Sequence, residues 1–200
     1  MNHIKKEREM SGRFVIVEGL DFVGKTTLAK LSAQKLGGIY YNTPPKPFVA
    51  ECIKIDQNGV NFNQKRFDFF AKTVAYASEE IKPLVAGGQT VIVDRWIYTT
   101  LSYHLAANNA LYKKYENNWQ GIVASFLKPD LSILVHISDT QVWLDRVKNR
   151  QASNCDRAIL QNKDLRNRIF QLFLKFNPEF KLIENSGTIN DSLKIILQLI

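Results

Sequence analysis

The stretch RFVIVEGLDFVGKTTLAKL, Arg13 to Leu31, decides the fold. Its first seven residues, Arg13 to Gly19, are a short run rich in β-branched side chains that enters a glycine turn. A helical pattern follows from Lys25 to Leu36 and is closed by Gly37 and Gly38. Strand, loop and helix therefore succeed one another. Between them, Gly19-Leu20-Asp21-Phe22-Val23-Gly24-Lys25-Thr26 fits GxxxxGK[ST] in the setting that its mechanism requires. The loop residues Gly19, Asp21, Val23 and Gly24 are candidates to curl backbone N–H groups around a phosphate, with the positive end of the helix behind them. Lys25 would reach the outer phosphates, the Thr26 hydroxyl can hold Mg2+, and Thr27 is a candidate for the α-phosphate. The pattern implies a nucleoside triphosphate.

Outward from this loop, a second strand is expected at Gly38 to Asn42. Pro44, Pro45 and Pro47 then force an extended connection with no helix through it, and a short helix runs from Val49 to Asp56. Asn63 to Ala86 reads as one long helix with Phe67, Phe70, Val74 and Ile81 on one face. Thr90 to Asp94 is a strand and Ile97 to Ala107 a helix; the polar stretch 108–118 reads as a surface excursion. A helix from Trp119 to Leu127, a strand from Leu131 to Ile137 and helices at Thr140 to Arg150 and Asp156 to Phe176 follow. The latter turns Leu165, Ile169, Leu172, Phe173 and Phe176 inward, and a strand at Phe180 to Glu184 and a helix at Ile189 to Ile200 complete the chain. Apolar strands alternating with helices predict an α/β fold: a central, mostly parallel five-stranded sheet flanked by helices in three layers, binding ligands beyond the carboxyl ends of its strands. We expect one domain over 13–200 behind an N-terminal extension, 1–12.

Composition narrows the partners. The 200 residues are 45% hydrophobic and 23% charged, an ordinary globular balance that can bury a core without staples. The two cysteines, Cys52 and Cys155, form neither a secreted disulfide framework nor a zinc-ligand pattern, which fits a reduced, cytoplasmic setting. No apolar run is long enough to span a bilayer, so no membrane partner is expected. A net charge of +8 points to an anionic partner, yet the basic residues are scattered and no aromatic-interleaved stripe suggests nucleic acid.

Asp94 ends its strand and Arg95 follows at once, so an acid and a base project together at the sheet edge beside the loop. Asp94 suits Mg2+, and Arg95 suits paired hydrogen bonds to phosphate oxygens. A regulatory GTPase is disfavoured, because Asn162-Lys163-Asp164 lacks the spacing of a guanine-reading loop. A motor would carry an acid where Arg95 stands. Phosphoryl transfer to a small acceptor remains. On the long helix, Arg66, Phe69 and Thr73 share a second face: Phe69 to stack on a base, Thr73 to touch its edge, Arg66 to meet the acceptor phosphate or the Pro44 segment. Arg150 and Arg157 bracket a polar segment that has the character of a mobile lid, at about 148–158, with Arg146 a further contributor. His3, His104 and His136 have no partner pattern and read as structural or solvent-facing.

Three segments, FVIVEGLDFVGKTTLAKL, VIVDRWIYTTLSYHLA and PDLSILVHISDTQVWLDRVKNR, together resemble the thymidylate kinase family of nucleoside monophosphate kinases. The resemblance implies an enzyme that phosphorylates a pyrimidine nucleoside monophosphate, dTMP to dTDP, with ATP as donor and Mg2+ as cofactor. It also implies a homodimer. By the same resemblance Asp21 would bind the acceptor sugar hydroxyl or a Mg2+ water, Tyr103 would lie near the base or sugar, and Thr43 and Pro44 would line the acceptor. Asn42-Thr43-Pro44-Pro45 is closer to the mitochondrial UMP-CMP kinase-like branch than to the Arg-Glu-Pro of most thymidylate kinases. The family's thymine-contacting arginine falls at Thr73, and Phe22 stands where some members place a catalytic arginine, which leaves that role to the lid. Two rivals stay open: a deoxynucleoside kinase with Glu18 or Asp94 as base, and a nucleotide-binding ATPase module without kinase activity.

Overall fold

The computed structural model describes residues 12–57, 61–148 and 159–200. Five strands, β1 (Phe14–Glu18), β2 (Ile39–Asn42), β3 (Val91–Asp94), β4 (Leu131–His136) and β5 (Lys181–Glu184), form one sheet in the order β2-β3-β1-β4-β5. Every pairing is parallel, which goes beyond the mostly parallel sheet expected. Register aligns Val17 and Asn42 with Asp94, so the ends of β1, β2 and β3 deliver their loops to one edge.

All five residues of β1 are buried, as a central strand covered on both faces requires. One face packs Phe14, Ile16, Val91, Val93 and Leu134 against the helices α3 (Gln64–Ala86), α4 (Ile97–Ala107) and α8 (Lys163–Phe176). The other packs Val15, Val17, Ile92 and Ile133 against α1 (Lys25–Leu36) and α9 (Ile189–Leu199). Helix α1 ends where Gly37 adopts φ 62°, and its N–H closes onto the Ala33 and Gln34 carbonyls.

Several boundaries differ from the sequence reading. The proline segment is not helix-free: after a cis Thr43–Pro44 bond, Lys46–Phe48 makes a 3-10 turn with a proline in its first positions, then runs into α2 (Val49–Gln57). The excursion at 108–118 contains a helix, α5 (Asn109–Tyr115), because the Asn108 side chain accepts from Leu111 N and Leu111 is buried. Helix α6 (Trp119–Ala124) is shorter than expected. The helix expected from Asp156 is broken at Gln161-Asn162 and its start lies outside the described residues; α8 begins at Lys163, where the Asn162 side chain caps it through Leu165 N. Helix α7 (Thr140–Lys148) runs up to residues outside the described set. No described helix is long and apolar enough to cross a membrane.

Candidate active site

The loop between β1 and α1 owes its shape to three residues with positive φ: Gly19 (140°), Phe22 (68°) and Gly24 (96°). A Cβ at Gly19 would stand 2.2 Å from the Val135 carbonyl oxygen, so β4 forces glycine there. Asn185 Nδ2 donates to the Val23 carbonyl at 2.7 Å, and Arg146 donates to the same carbonyl and, at 2.5 Å, to the Asn185 carbonyl. The segment after β5 therefore braces the loop. Lys25 is buried at the helix start, with Nζ 2.5 Å from the Leu20 carbonyl and 4.0 Å from Asp21. Burial and the Arg95 cation pull its pKa down to about 8. Thr27 is half-buried within the first turn of α1.

At the end of β3, Thr26 Oγ1 donates to Asp94 Oδ2, which Tyr40 OH also approaches at 3.4 Å. The other oxygen, Asp94 Oδ1, is buried and has no hydrogen-bond partner. A buried anionic oxygen left without a donor, beside a hydroxyl, is a donor set that fits a hard cation such as Mg2+. Arg95 follows with φ 73°. Its N–H reaches back to the Val17 carbonyl (3.1 Å), and its guanidinium pairs with Asp21 Oδ1. Tyr103 OH donates to Asp21 Oδ2 at 2.9 Å, with the Arg95 guanidinium over its ring at 5.7 Å. Burial alone would raise the Asp21 pKa, but Arg95 and Lys25 outweigh it and hold the carboxyl below its usual value.

Glu18 is fully buried and accepts from Trp96 N (2.9 Å), Thr99 N (3.0 Å) and the Thr99 hydroxyl, so it caps α4 from the neighbouring strand. Burial pushes its pKa up to about 7 against those hydrogen bonds. With both oxygens engaged in the α4 backbone and Thr99, Glu18 is poorly placed to take a proton from an acceptor hydroxyl.

Beside Arg95 opens a cavity of about 200 Å³. Asp21, Arg95 and Tyr103 line one part of it with Thr43 and Pro44; Arg66, Phe70 and Thr73 of α3 line another. Thr43 Oγ1 donates to the Arg95 carbonyl at 2.9 Å, tying this segment to the end of β3. One expected residue is displaced: Phe69 is not on this wall. Phe69 packs against Phe48 (centroids 6.2 Å apart), and Phe70, read on the other face with Phe67 and Val74, lines the cavity in its place. Arg66 pairs at 2.8 Å with Asp56 of α2, a partner the sequence reading missed because no local spacing links the two. Phe62, Cys52 and His104 also line the cavity and were not foreseen as site residues. His136 is half-buried and pairs with Glu184 at 3.2 Å. Arg150, Arg157, His3 and nearly all of the expected lid lie outside the described residues. A second cavity, about 470 Å³, lies against Leu20 and Val23 of the loop and reaches His136, Trp143 and Arg166.

Comparison with known proteins agrees with this architecture. A family model described as thymidylate kinase matches residues 17–196. A protein of Pyrococcus horikoshii named "Probable thymidylate kinase" is 28% identical over 96% of this chain and 97% of its own length. The thymidylate kinase of Legionella pneumophila (strain Corby) is 24% identical over 91% of each. Among solved structures, thymidylate kinase from Candida albicans superposes with a TM-score of 0.73 at 20% identity, covering 94% of this chain and 91% of that one, a likeness of fold.

Proposed function

The chain belongs to the thymidylate kinase family, and on that premise we propose that it transfers the γ-phosphoryl group of ATP to dTMP, giving dTDP and ADP. The observation that carries this reading is the junction of two anion-binding features. A phosphate loop with its lysine buried at the helix start meets, through Asp21, an arginine on the wall of a pyrimidine-sized cavity.

An acceptor phosphate is already anionic, so the reaction needs alignment and charge neutralisation rather than a general base. In this proposal Gly19 to Thr27 hold the triphosphate, with Lys25 on its outer oxygens. Arg95 holds the acceptor phosphate, while Asp21 fixes the Arg95 guanidinium and, with Tyr103, faces the acceptor sugar. Thr26 and Asp94 would hold Mg2+, which when bound neutralises and orients the outer phosphate oxygens. Arg150 and Arg157 are assigned to the transferring phosphoryl group, and Arg146 to the donor side of the loop, where its contacts with Val23 and Asn185 support it. The engagement of Glu18 by α4 favours a monophosphate acceptor over the nucleoside of a deoxynucleoside kinase. A cytoplasmic setting and a homodimer belong to the same proposal, supported by composition and family.

A coupled assay with ATP, Mg2+ and dTMP, thymidine, UMP or CMP tests it. Turnover of dTMP with none of thymidine is expected. Phosphorylation of thymidine alone, or ATP hydrolysis with no phosphorylated acceptor, would overturn the reading.

A further inference from the structure

Two buried polar side chains in the wall of the acceptor cavity keep nitrogens without partners. Arg66, 6% exposed, donates from Nη2 to Asp56 and leaves Nε and Nη1 unpaired. His104, 3% exposed, has Nδ1 2.8 Å from the Thr100 carbonyl and Nε2 unpaired. A carbonyl only accepts, so Nδ1 carries the proton and Nε2 of the neutral ring presents a lone pair. Burial, with the Arg66 cation nearby, lowers the imidazole pKa to about 4 and keeps it neutral at physiological pH. The same two rings frame both groups: Phe62 and Phe70 lie 5.9 and 5.1 Å from the guanidinium, and 5.4 and 6.0 Å from the imidazole. Thr73 does not compete, because its hydroxyl donates to the Phe70 carbonyl at 2.8 Å.

Unpaired buried donors beside an unpaired buried acceptor call for a ligand edge that carries the reverse pattern. We infer that Arg66 and His104 read the base of the acceptor: Arg66 donates to a ring carbonyl, the N3–H of the base donates to His104 Nε2, and the ring lies against Phe70. The inference rests on the dTMP reading above and deepens it. Thymine and uracil carry the required N–H between two carbonyls. Cytosine has a lone pair at N3, which would face the lone pair of His104. The side chains that select the base therefore lie one turn before Phe70 on α3 and at the inner face of α4, rather than at position 73.

The test compares dTMP, dUMP, dCMP and 3-methyl-dTMP, whose N3 carries no hydrogen, on wild type, His104→Phe and Arg66→Lys. In wild type, kcat/KM should fall at least about tenfold from dTMP to 3-methyl-dTMP, chiefly through KM, with dCMP similarly poor and dUMP accepted. His104→Phe keeps the aromatic packing and removes the acceptor, so its dTMP to 3-methyl-dTMP ratio should collapse to within about twofold of one. Arg66→Lys should raise KM for dTMP at least about tenfold and change kcat by less than about threefold. Retention of the wild-type ratio in His104→Phe, or an unchanged KM in Arg66→Lys, would sink the inference. If His104→Phe does not fold, the wild-type ratio still decides, because equal use of dTMP and 3-methyl-dTMP excludes the N3 contact. Failure of wild type to use dTMP or dUMP at all, with CMP turned over, overturns the acceptor reading itself, and the base contacts fall with it.

Discussion

Lys25 and Glu18 are buried ionisable groups at either end of the phosphate loop, and each makes a pH prediction. Lys25 must be charged to hold a triphosphate, and its pKa of about 8 means that the free enzyme loses that charge as pH rises. Steady-state kcat/KM for ATP should therefore decline above about pH 8, and a flat profile to pH 10 would refute the assignment. Glu18 has the opposite sense. Its folded pKa of about 7 lies above the ordinary carboxyl value of 4.5, so the folded chain binds the proton more tightly. That contribution is complete below pH 4.5 and is lost as pH rises through 7. Denaturation of wild type and Glu18→Gln across this range should show wild type losing stability relative to the variant from acid to neutral pH, by roughly 3 kcal/mol at most. The strand, glycine loop and helix around GxxxxGK[ST] were legible in sequence, since that setting is written in local spacing. Phe69 and Phe70 were not. Three and four positions lie about 60° to one side and 40° to the other of a helix face. Which of the two meets the cavity depends on how Phe48, from a distant segment, draws Phe69 away.

Capping decided what the sequence showed at the level of elements. Helices α1 and α4 matched their expected bounds because glycine or a change of composition ended them. The boundaries of α5 and α8 were missed because asparagine side chains cap them inside polar stretches that read as loop or as continuous helix. Asn63 does the same for α3, accepting from Arg66 N at 2.9 Å. Asn63→Ala should cost about 1 kcal/mol and lower Tm by about 2–4 °C. Because Arg66 sits in that first turn, the same change should raise KM for the acceptor more than KM for ATP. Equal effects on both would show that the cap stabilises α3 without positioning Arg66.

For the whole molecule, the two faces of the sheet hold separate clusters joined through β1, and the expected three-layer α/β order is the observed one. Periodic apolar runs carried that information; the pairing of Arg66 with Asp56, which depends on where α2 docks, did not. Phe173 is fully buried in α8, against Tyr103 and Phe180. Phe173→Ala should cost about 3–5 kcal/mol in urea denaturation, and a loss below 1 kcal/mol would contradict the packing described. The strand order also governs synthesis. β1 emerges from the ribosome first among the strands, yet its two neighbours, β3 and β4, end only at Asp94 and His136. A nascent chain must therefore carry this wholly buried strand without either neighbour until almost half of the protein is translated, and this interval is when a chaperone that shields β-branched segments has the greatest leverage on yield.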